Sequence, residues 1–468
     1  MFFLSTRNYD YFYNFIVKSA KKNCEILTKE NLDLLLFEKK KTPSLKYLIF
    51  FIYVLFSGKI FKKNRALISF NDIEIGRFVL AKTFCEFECY VNKLKFYKSL
   101  IKNFFNAGCL LNTCAYYQKK YKINGAYVDH CGYLNGIIFS FFVKKRIPVY
   151  TNNYPLGIYF VNYSKNKKKL LLKYENSLRI NLKVNINNLQ KKQAEKKISN
   201  IVKNKNFFPW LKKTNYKKLD SINYKIFDYI IYVHSFTDGQ LWFGYSDFEN
   251  TLEWLEFTLN HFLKTKKKIL IKPHPNFYNN ALDENAIWDK KIYNIVVKKY
   301  KKFKNLHFLN RPTHSYILNN KLNKKCVAIT EFGSVILETS YLNFKSISSA
   351  SNFYNKKFKI SNTWKNKNEY SKLLNYDHYK LKKPNRNDLL KLIYSLFFIY
   401  HSEYHVNHFD NIIRKNLKLT KDNYQKKFHT KGRAIISNKQ KNRLDQSTKS
   451  KANLIIKQIS NTIMEGIV

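Results

Sequence analysis

Glycine, proline and acidic residues are all scarce in this chain. With 12 glycines in 468 residues, it carries no Gly-x-Gly-x-x-Gly fingerprint, no Walker lysine loop and no Gly-x-Ser-x-Gly elbow, and it also lacks His-Glu-x-x-His. Dinucleotide oxidoreductases, P-loop nucleotidases, serine hydrolases and zinc peptidases that depend on those motifs are thereby disfavoured. Nor is there an Asp-x-Asp pair of the kind that holds a nucleotide-bound metal. The seven cysteines, Cys24, Cys85, Cys89, Cys109, Cys114, Cys131 and Cys326, show no zinc spacing. Cys85/Cys89 and Cys109/Cys114 sit in apolar helical patterns, as buried thiols do, and an odd, scattered set points to a reducing compartment.

Long apolar runs are missing too. The longest, Tyr47 to Phe56, is shorter than the ~20 residues that cross a bilayer. Flanked by Lys46, Lys59, Lys62 and Lys63, it reads either as a buried element or as one lying on a membrane surface. The start, MFFLSTRNYDYFYNF, lacks the basic leader and apolar core of a secretory signal, which predicts a cytoplasmic protein, and the lysine-flanked Tyr47 to Phe56 run is the element that would make any peripheral contact with an anionic inner membrane face.

Acidic residues number 32 against 85 Lys and Arg, a net charge of +53. A surplus gathered on one element would signal an anionic partner. Here the basic residues are spread along the chain. Lys, Asn, Ile, Tyr and Phe are abundant together, as AT-rich coding produces. The surplus therefore reads as a solvated surface. With no helix-turn-helix, zinc finger or RNP motif, no nucleic-acid partner is expected.

The length favours two or three domains. Residues 1–60 read as an N-terminal helical segment. Residues 61–162 form a first α/β domain. In it, Ala66 to Ser69 is a short strand, and Asn71 or Asp72 caps a helix whose first turns hold Ile73, Ile75 and Gly76. Ala126 to Val128 is a strand ending at Asp129 and His130, followed by a helix from Gly132 to Lys145 and a strand at Ile147 to Tyr150. Residues 163–224 are a basic peripheral segment and linker. Residues 225–410 form a second α/β domain with five strands, near Tyr229, Ile269, His307, Val327 and Ser346. Within it, Ser246 to Glu249 reads as a capping box for the helix stepping through Phe248, Leu252, Leu255, Leu259 and Phe262. Residues 411–468 are a basic tail, partly disordered by composition. Alternating strands and helices predict parallel, Rossmann-like, doubly wound sheets, two of them, facing a central cleft.

Polar groups at the carboxyl ends of such strands are the candidate site. In Lys272-Pro273-His274-Pro275 two prolines fix the backbone around an imidazole, and Lys272 adds a positive charge. That pairing suits a phosphate leaving group. In Glu331 to Glu338, Gly333 allows a tight turn, Ser334 opens a helix, and Glu338 lies one turn on. That geometry suits phosphate at Gly333 and Ser334 and ribose at Glu338. Asp129 and His130 are the best general-base candidates of the first half.

Taken together, YVHSFTDGQLWFGYSDFENTLEWLEFTL, IKPHP and AITEFGSVILETSYLNFKSI resemble the carboxyl half of capsule and surface polysaccharide biosynthesis proteins, including Kdo transferase-like glycosyltransferases. FNDIEIGRFVLAKTF and VDHCGYLNGIIFSFFVKKRIPVY resemble two segments of their amino half, the second a His-x-x-Tyr segment. The resemblance covers roughly residues 66–160 and 225–360. It implies a GT-B fold, with an acceptor domain and a nucleotide-sugar domain. It implies donor contacts from Lys272, His274, Pro275, Asp238, Gly333, Ser334 and Glu338, and acceptor-side chemistry from Asp129 or His130. Two positions depart from the family pattern: Gly76-Arg77 replaces Gly-Asp, and Asn343-Phe344-Lys345 replaces Gly-x-Pro.

The expected activity is metal-independent transfer of a sugar from a nucleotide donor, CMP-linked in the resemblance, to a polysaccharide or glycolipid acceptor. The donor is a substrate, and no cofactor is expected. A glycerol- or ribitol-phosphate transfer from a CDP-alcohol on the same fold is the alternative. A basic nucleic-acid-binding protein is the third reading.

Overall fold

The computed structural model describes residues 2–5, 41–120, 123, 125–129, 132–147, 149–152, 158–161, 185–204, 216–239, 241, 244–278, 284–352, 354–355 and 358–399. Its fold class is α/β, built on a parallel six-stranded sheet and a smaller four-stranded one.

In the second half, four short apolar runs become β7 (Tyr229–Tyr232), β8 (Ile269–Lys272), β10 (Val327–Thr330) and β11 (Ser346–Ser349). All their residues are buried, as expected of inner parallel strands covered on both faces. β9 (Leu306–Phe308) and β12 (Asn362–Trp364) form the edges. The order β12-β11-β10-β7-β8-β9 is the Rossmann order, reversing direction between β7 and β10. The expected five strands therefore gain a sixth. Asn362-Thr363-Trp364 carries no period-2 apolar signal, and it is held by pairing to β11 and by fully buried Trp364 stacked at 4.2 Å on Tyr370.

Side-chain alternation splits this core into two layers. Ile231, Ile271 and Ile329 pack against α7 (Thr251–Leu263), α8 (Glu284–Tyr300) and α11 (Lys367–Leu374) through Trp254, Tyr293 and Tyr370. Ile230, Leu270 and Ala328 face α9 (Ser315–Lys321) through Leu318. Outside that layer, α10 (Val335–Tyr341) packs with α12 (Arg386–Tyr394) and α6 (Asn188–Asn204). Ala194, Ile198 and Val202 of α6 are fully buried there, so this part of the stretch expected to be peripheral belongs to the core. Its lysine-rich composition hides a one-sided apolar stripe at helical spacing.

The first half carries β1 (Phe2–Ser5), β4 (Gly125–Asp129), β5 (Val149–Asn152) and β6 (Ile158–Val161), in the order β1-β4-β5-β6, with only β6 antiparallel. Phe2–Ser5 thus pairs with β4 as a strand, where a helical segment was expected; four residues at a chain end have too little pattern to reveal a partner far away in sequence. The remaining elements are α1 (Leu45–Phe56), α2 (Gly76–Thr83), α3 (Glu88–Val91), the long α4 (Lys93–Lys120) and α5 (Asn135–Lys144). They bury one cluster around Phe78, Leu100, Phe104 and Phe142.

Two expected caps move. Asn71 and Asp72 do not cap a helix; both have positive φ (47° and 56°) in the turn of the hairpin β2 (Ser69–Phe70) to β3 (Ile73–Glu74), a conformation Asn and Asp tolerate. The helix begins only at Gly76, where a Cβ would lie 1.9 Å from the Arg65 carbonyl oxygen, so close approach of a backbone explains this glycine. Downstream, the cap of α7 is Asn250, which accepts from Glu253 N, while Glu253 accepts from Glu249 N at 2.8 Å. Ser246 is released from capping and donates instead to buried Glu331 at 2.7 Å.

Candidate functional site

β7 and β8 are adjacent, with Tyr232 opposite Lys272. The residues just past their carboxyl ends therefore lie side by side. His234 and His274 have ring centroids 5.8 Å apart. The pair sits next to the point where strand order reverses, which is where open α/β sheets bind ligands. His274 was expected from sequence. His234 was not, because a lone imidazole opening a polar loop carries no motif.

The hydrogen bonds of the two rings give them opposite tautomers. Nδ1 of His274 accepts from Asn276 N at 3.3 Å, which places the proton of the neutral ring on Nε2. Nδ1 of His234 lies 3.3 Å from the Ser235 carbonyl oxygen and must donate to it, which leaves Nε2 as an acceptor. Burial pushes the His234 pKa down, against a smaller upward pull from Asp238, so the neutral ring is favoured. One ring offers a donor and the other a base.

The loop bearing His234 is clamped from below. Buried Asp289 of α8 accepts from Ser235 Oγ at 2.5 Å, Phe236 N at 2.9 Å, Thr237 N at 2.8 Å and Thr237 Oγ1 at 2.9 Å. Burial outweighs these bonds and pushes its carboxyl up to about 7. Gly239 (φ +70°) closes the loop; a Cβ there would come 3.3 Å from His234 Cε1.

The first half reaches this loop at several points. Tyr133 Oη donates to Asp238 Oδ1 at 2.5 Å and accepts from Gly239 N at 3.0 Å. The Tyr90 hydroxyl donates to the Phe236 carbonyl. Arg77 Nη1 donates to the Leu241 carbonyl at 2.7 Å, and its Nε and Nη2 hold Glu74. Arg77, the departure from Gly-Asp, is thus a buried tie between the halves. Arg65 and Glu249 add a bidentate pair at 2.7 and 3.0 Å.

The other expected residues fall as follows. Lys272 is buried, with Nζ 3.4 Å from the Pro273 carbonyl and 5.8 Å from the Tyr232 ring centroid. Pro275 starts a half-buried 3-10 turn, Pro275–Tyr278. Asp238 is exposed at the mouth of the loop. Gly333 has ordinary φ; what it avoids is the Thr330 hydroxyl, 2.6 Å from where a Cβ would stand. Ser334 occupies the N-cap of α10 but its side chain makes no capping bond. Glu338 is buried one turn on, close enough to the Tyr232 phenol to help push its pKa up after burial itself. Asp129 ends β4 in register with Asn152, and His130 lies outside the described residues.

Residues the sequence did not single out include Tyr133, Asp289 and Glu331. Glu331, directly after β10, accepts from Ser246 and Thr251 hydroxyls, and burial pushes its carboxyl up to about 8. Tyr133 is the tyrosine of the His-x-x-Tyr segment, so that spacing was the one signal on offer. In the second departure, Asn343 takes φ +61° after α10, where a glycine is at home, and Lys345 is buried and donates to the His378 carbonyl.

No protein-family model matches this chain, and no curated protein matches it. Among solved structures it is similar to the Thermosulfurimonas dismutans KpsC beta Kdo 2,4 transferase, with 10% identity and a TM-score of 0.38 over 59% of this chain and 80% of that one. It is also similar to the Methanocaldococcus jannaschii UDP-GlcNAc 2-epimerase in complex with UDP-GlcNAc and UDP, with 14% identity and a TM-score of 0.28 over 62% and 80% of the two chains. The Rossmann strand order is a property of this chain's own pairing, independent of either likeness.

Proposed function

We propose that this chain is a glycosyltransferase that moves a sugar from a nucleotide-activated donor to a surface-polysaccharide or glycolipid acceptor. The observation that carries the reading is the imidazole pair, His234 and His274, held at adjacent strand ends beside the switch point. In sugar transfer the acceptor hydroxyl loses a proton while the donor phosphate gains negative charge. A neutral His234 with Nε2 as acceptor suits the first task, and His274 with its proton on Nε2 suits the second. Ser334, whose hydroxyl makes no capping bond, and Glu338 one turn on suit the nucleotide. Tyr133 of the first half holds Asp238, the donor contact that the resemblance implies, at the loop that bears His234.

Calorimetric titration of CMP, CDP, UDP and GDP tests this. One nucleotide class should bind saturably, and His274→Ala and Glu338→Ala should each weaken it about 10- to 100-fold, the range for a lost hydrogen bond to a charged group. Absence of binding to all four, or variants that bind like the parent, would sink the reading. Release of CMP from a CDP-alcohol, with none from a nucleotide sugar, would assign the phosphotransferase instead.

A further inference from the structure

Helix α1 is apolar on both sides. Its inner face is fixed: Tyr47 and Val54 are buried, and Tyr47 Oη donates to the Phe104 carbonyl at 2.8 Å. Its outer face carries Leu45, Ile49, Ile52, Tyr53 and Phe56, from 50% to 88% exposed. Leu45, Ile49, Ile52 and Phe56 step by four, three and four, and Tyr53 lies four on from Ile49, so the five form one continuous stripe. Of the 19 exposed large apolar residues among the described ones, 11 lie between Leu45 and Tyr116, so exposed apolar side chains are concentrated in this part of the chain.

The segment that carries the stripe has one sign of charge as far as Asn71, and the exposed carboxylate that follows, Asp72, is paired to Lys144 at 3.2 Å. Residues 41–71 contain Lys41, Lys46, Lys59, Lys62, Lys63 and Arg65 and no Asp or Glu. All five lysines are exposed, while Arg65 is taken up by Glu249. Twelve helical residues span about 18 Å, too short for the ~30 Å hydrocarbon core. Among the described residues no helix is long and apolar enough to cross a membrane.

We infer that the outer face of α1 docks on an anionic lipid bilayer, lying in the interface with the stripe among the acyl chains and the lysines at the phosphate level. The apolar stripe provides insertion, and the five exposed lysines of the same segment select negative headgroups. This placement is independent of the donor site, and it would bring the protein to a membrane-borne acceptor.

Vesicle flotation with phosphatidylcholine containing 30% phosphatidylglycerol tests it, without any nucleotide. The full chain should float with these vesicles and far less with pure phosphatidylcholine. Phe56→Ser combined with Ile49→Ser should lower partitioning at least tenfold, and so should Lys59→Gln/Lys62→Gln/Lys63→Gln. Thermal unfolding of both variants should match the parent, since the altered side chains are exposed. Equal partitioning of variants and parent would overturn the inference, as would equal binding to neutral vesicles. A lipid-free dimer by light scattering, dissolved by Phe56→Ser, with no vesicle binding, would overturn it in favour of a second copy on this face.

Discussion

Asp289→Asn would show whether the buried carboxylate beneath the His234 loop sets the pH dependence of stability. Asp289 rises from 3.8 to about 7 on folding, because burial disfavours its charge more than four hydrogen bonds favour it. A carboxyl raised on folding binds its proton more tightly in the native state. Its contribution to stability is therefore greatest at low pH, falls as pH rises from about 4 to about 7, and is flat above that. Between pH 5 and pH 8 the loss amounts to about 3 kcal/mol. Asparagine has the same shape, and its Oδ1 can still accept from Phe236 N, Thr237 N and Thr237 Oγ1. Only the bond to Ser235 must reverse polarity, at a cost of about 1 kcal/mol. Urea unfolding of parent and variant at pH 5 and pH 8 is the assay. The parent should lose about 3 kcal/mol more than the variant between the two pH values. Glu331, raised to about 8, contributes to both proteins alike and cancels in the difference. An identical pH dependence in parent and variant would refute the assignment.

Three further outcomes are expected. Arg65→Ala should destabilise by about 3–5 kcal/mol in urea unfolding, because it leaves Glu249 largely buried without its bidentate partner; Glu249→Gln/Arg65→Met should recover part of that. Asn343→Val should cost about 1–2 kcal/mol, since a β-branched residue is forced to φ +61°, while Asn343→Gly should be neutral or stabilising in the same assay. Tyr133→Phe should leave thermal unfolding within a few degrees of the parent yet loosen the His234 loop, seen as faster amide exchange at Gly239, whose N–H loses its acceptor.

Residues 225–360 were largely legible because each strand is a short apolar run ended by a turn and followed by an amphipathic helix. The alternation alone implies parallel pairing, and it places His274, Gly333 and Ser334 at strand ends. Local sequence also determined α4, through the stripe Phe96, Leu100, Phe104, Leu111 and Cys114. What depended on distant partners was out of reach. The strand at Phe2–Ser5 exists because β4 offers an edge, and β12 because β11 does. His234 gains its meaning only from lying beside His274, forty residues on. Arg77, read as a departure from a pattern, becomes a tie to Leu241. Asp289 becomes a loop clamp because the packing of α8 removes it from water. Hydrophobic period and turn chemistry are properties of neighbouring residues, so the sequence alone determines them. Side-chain pairing, burial and the resulting proton affinities arise only when segments far apart in the chain meet, and the tertiary structure decided those.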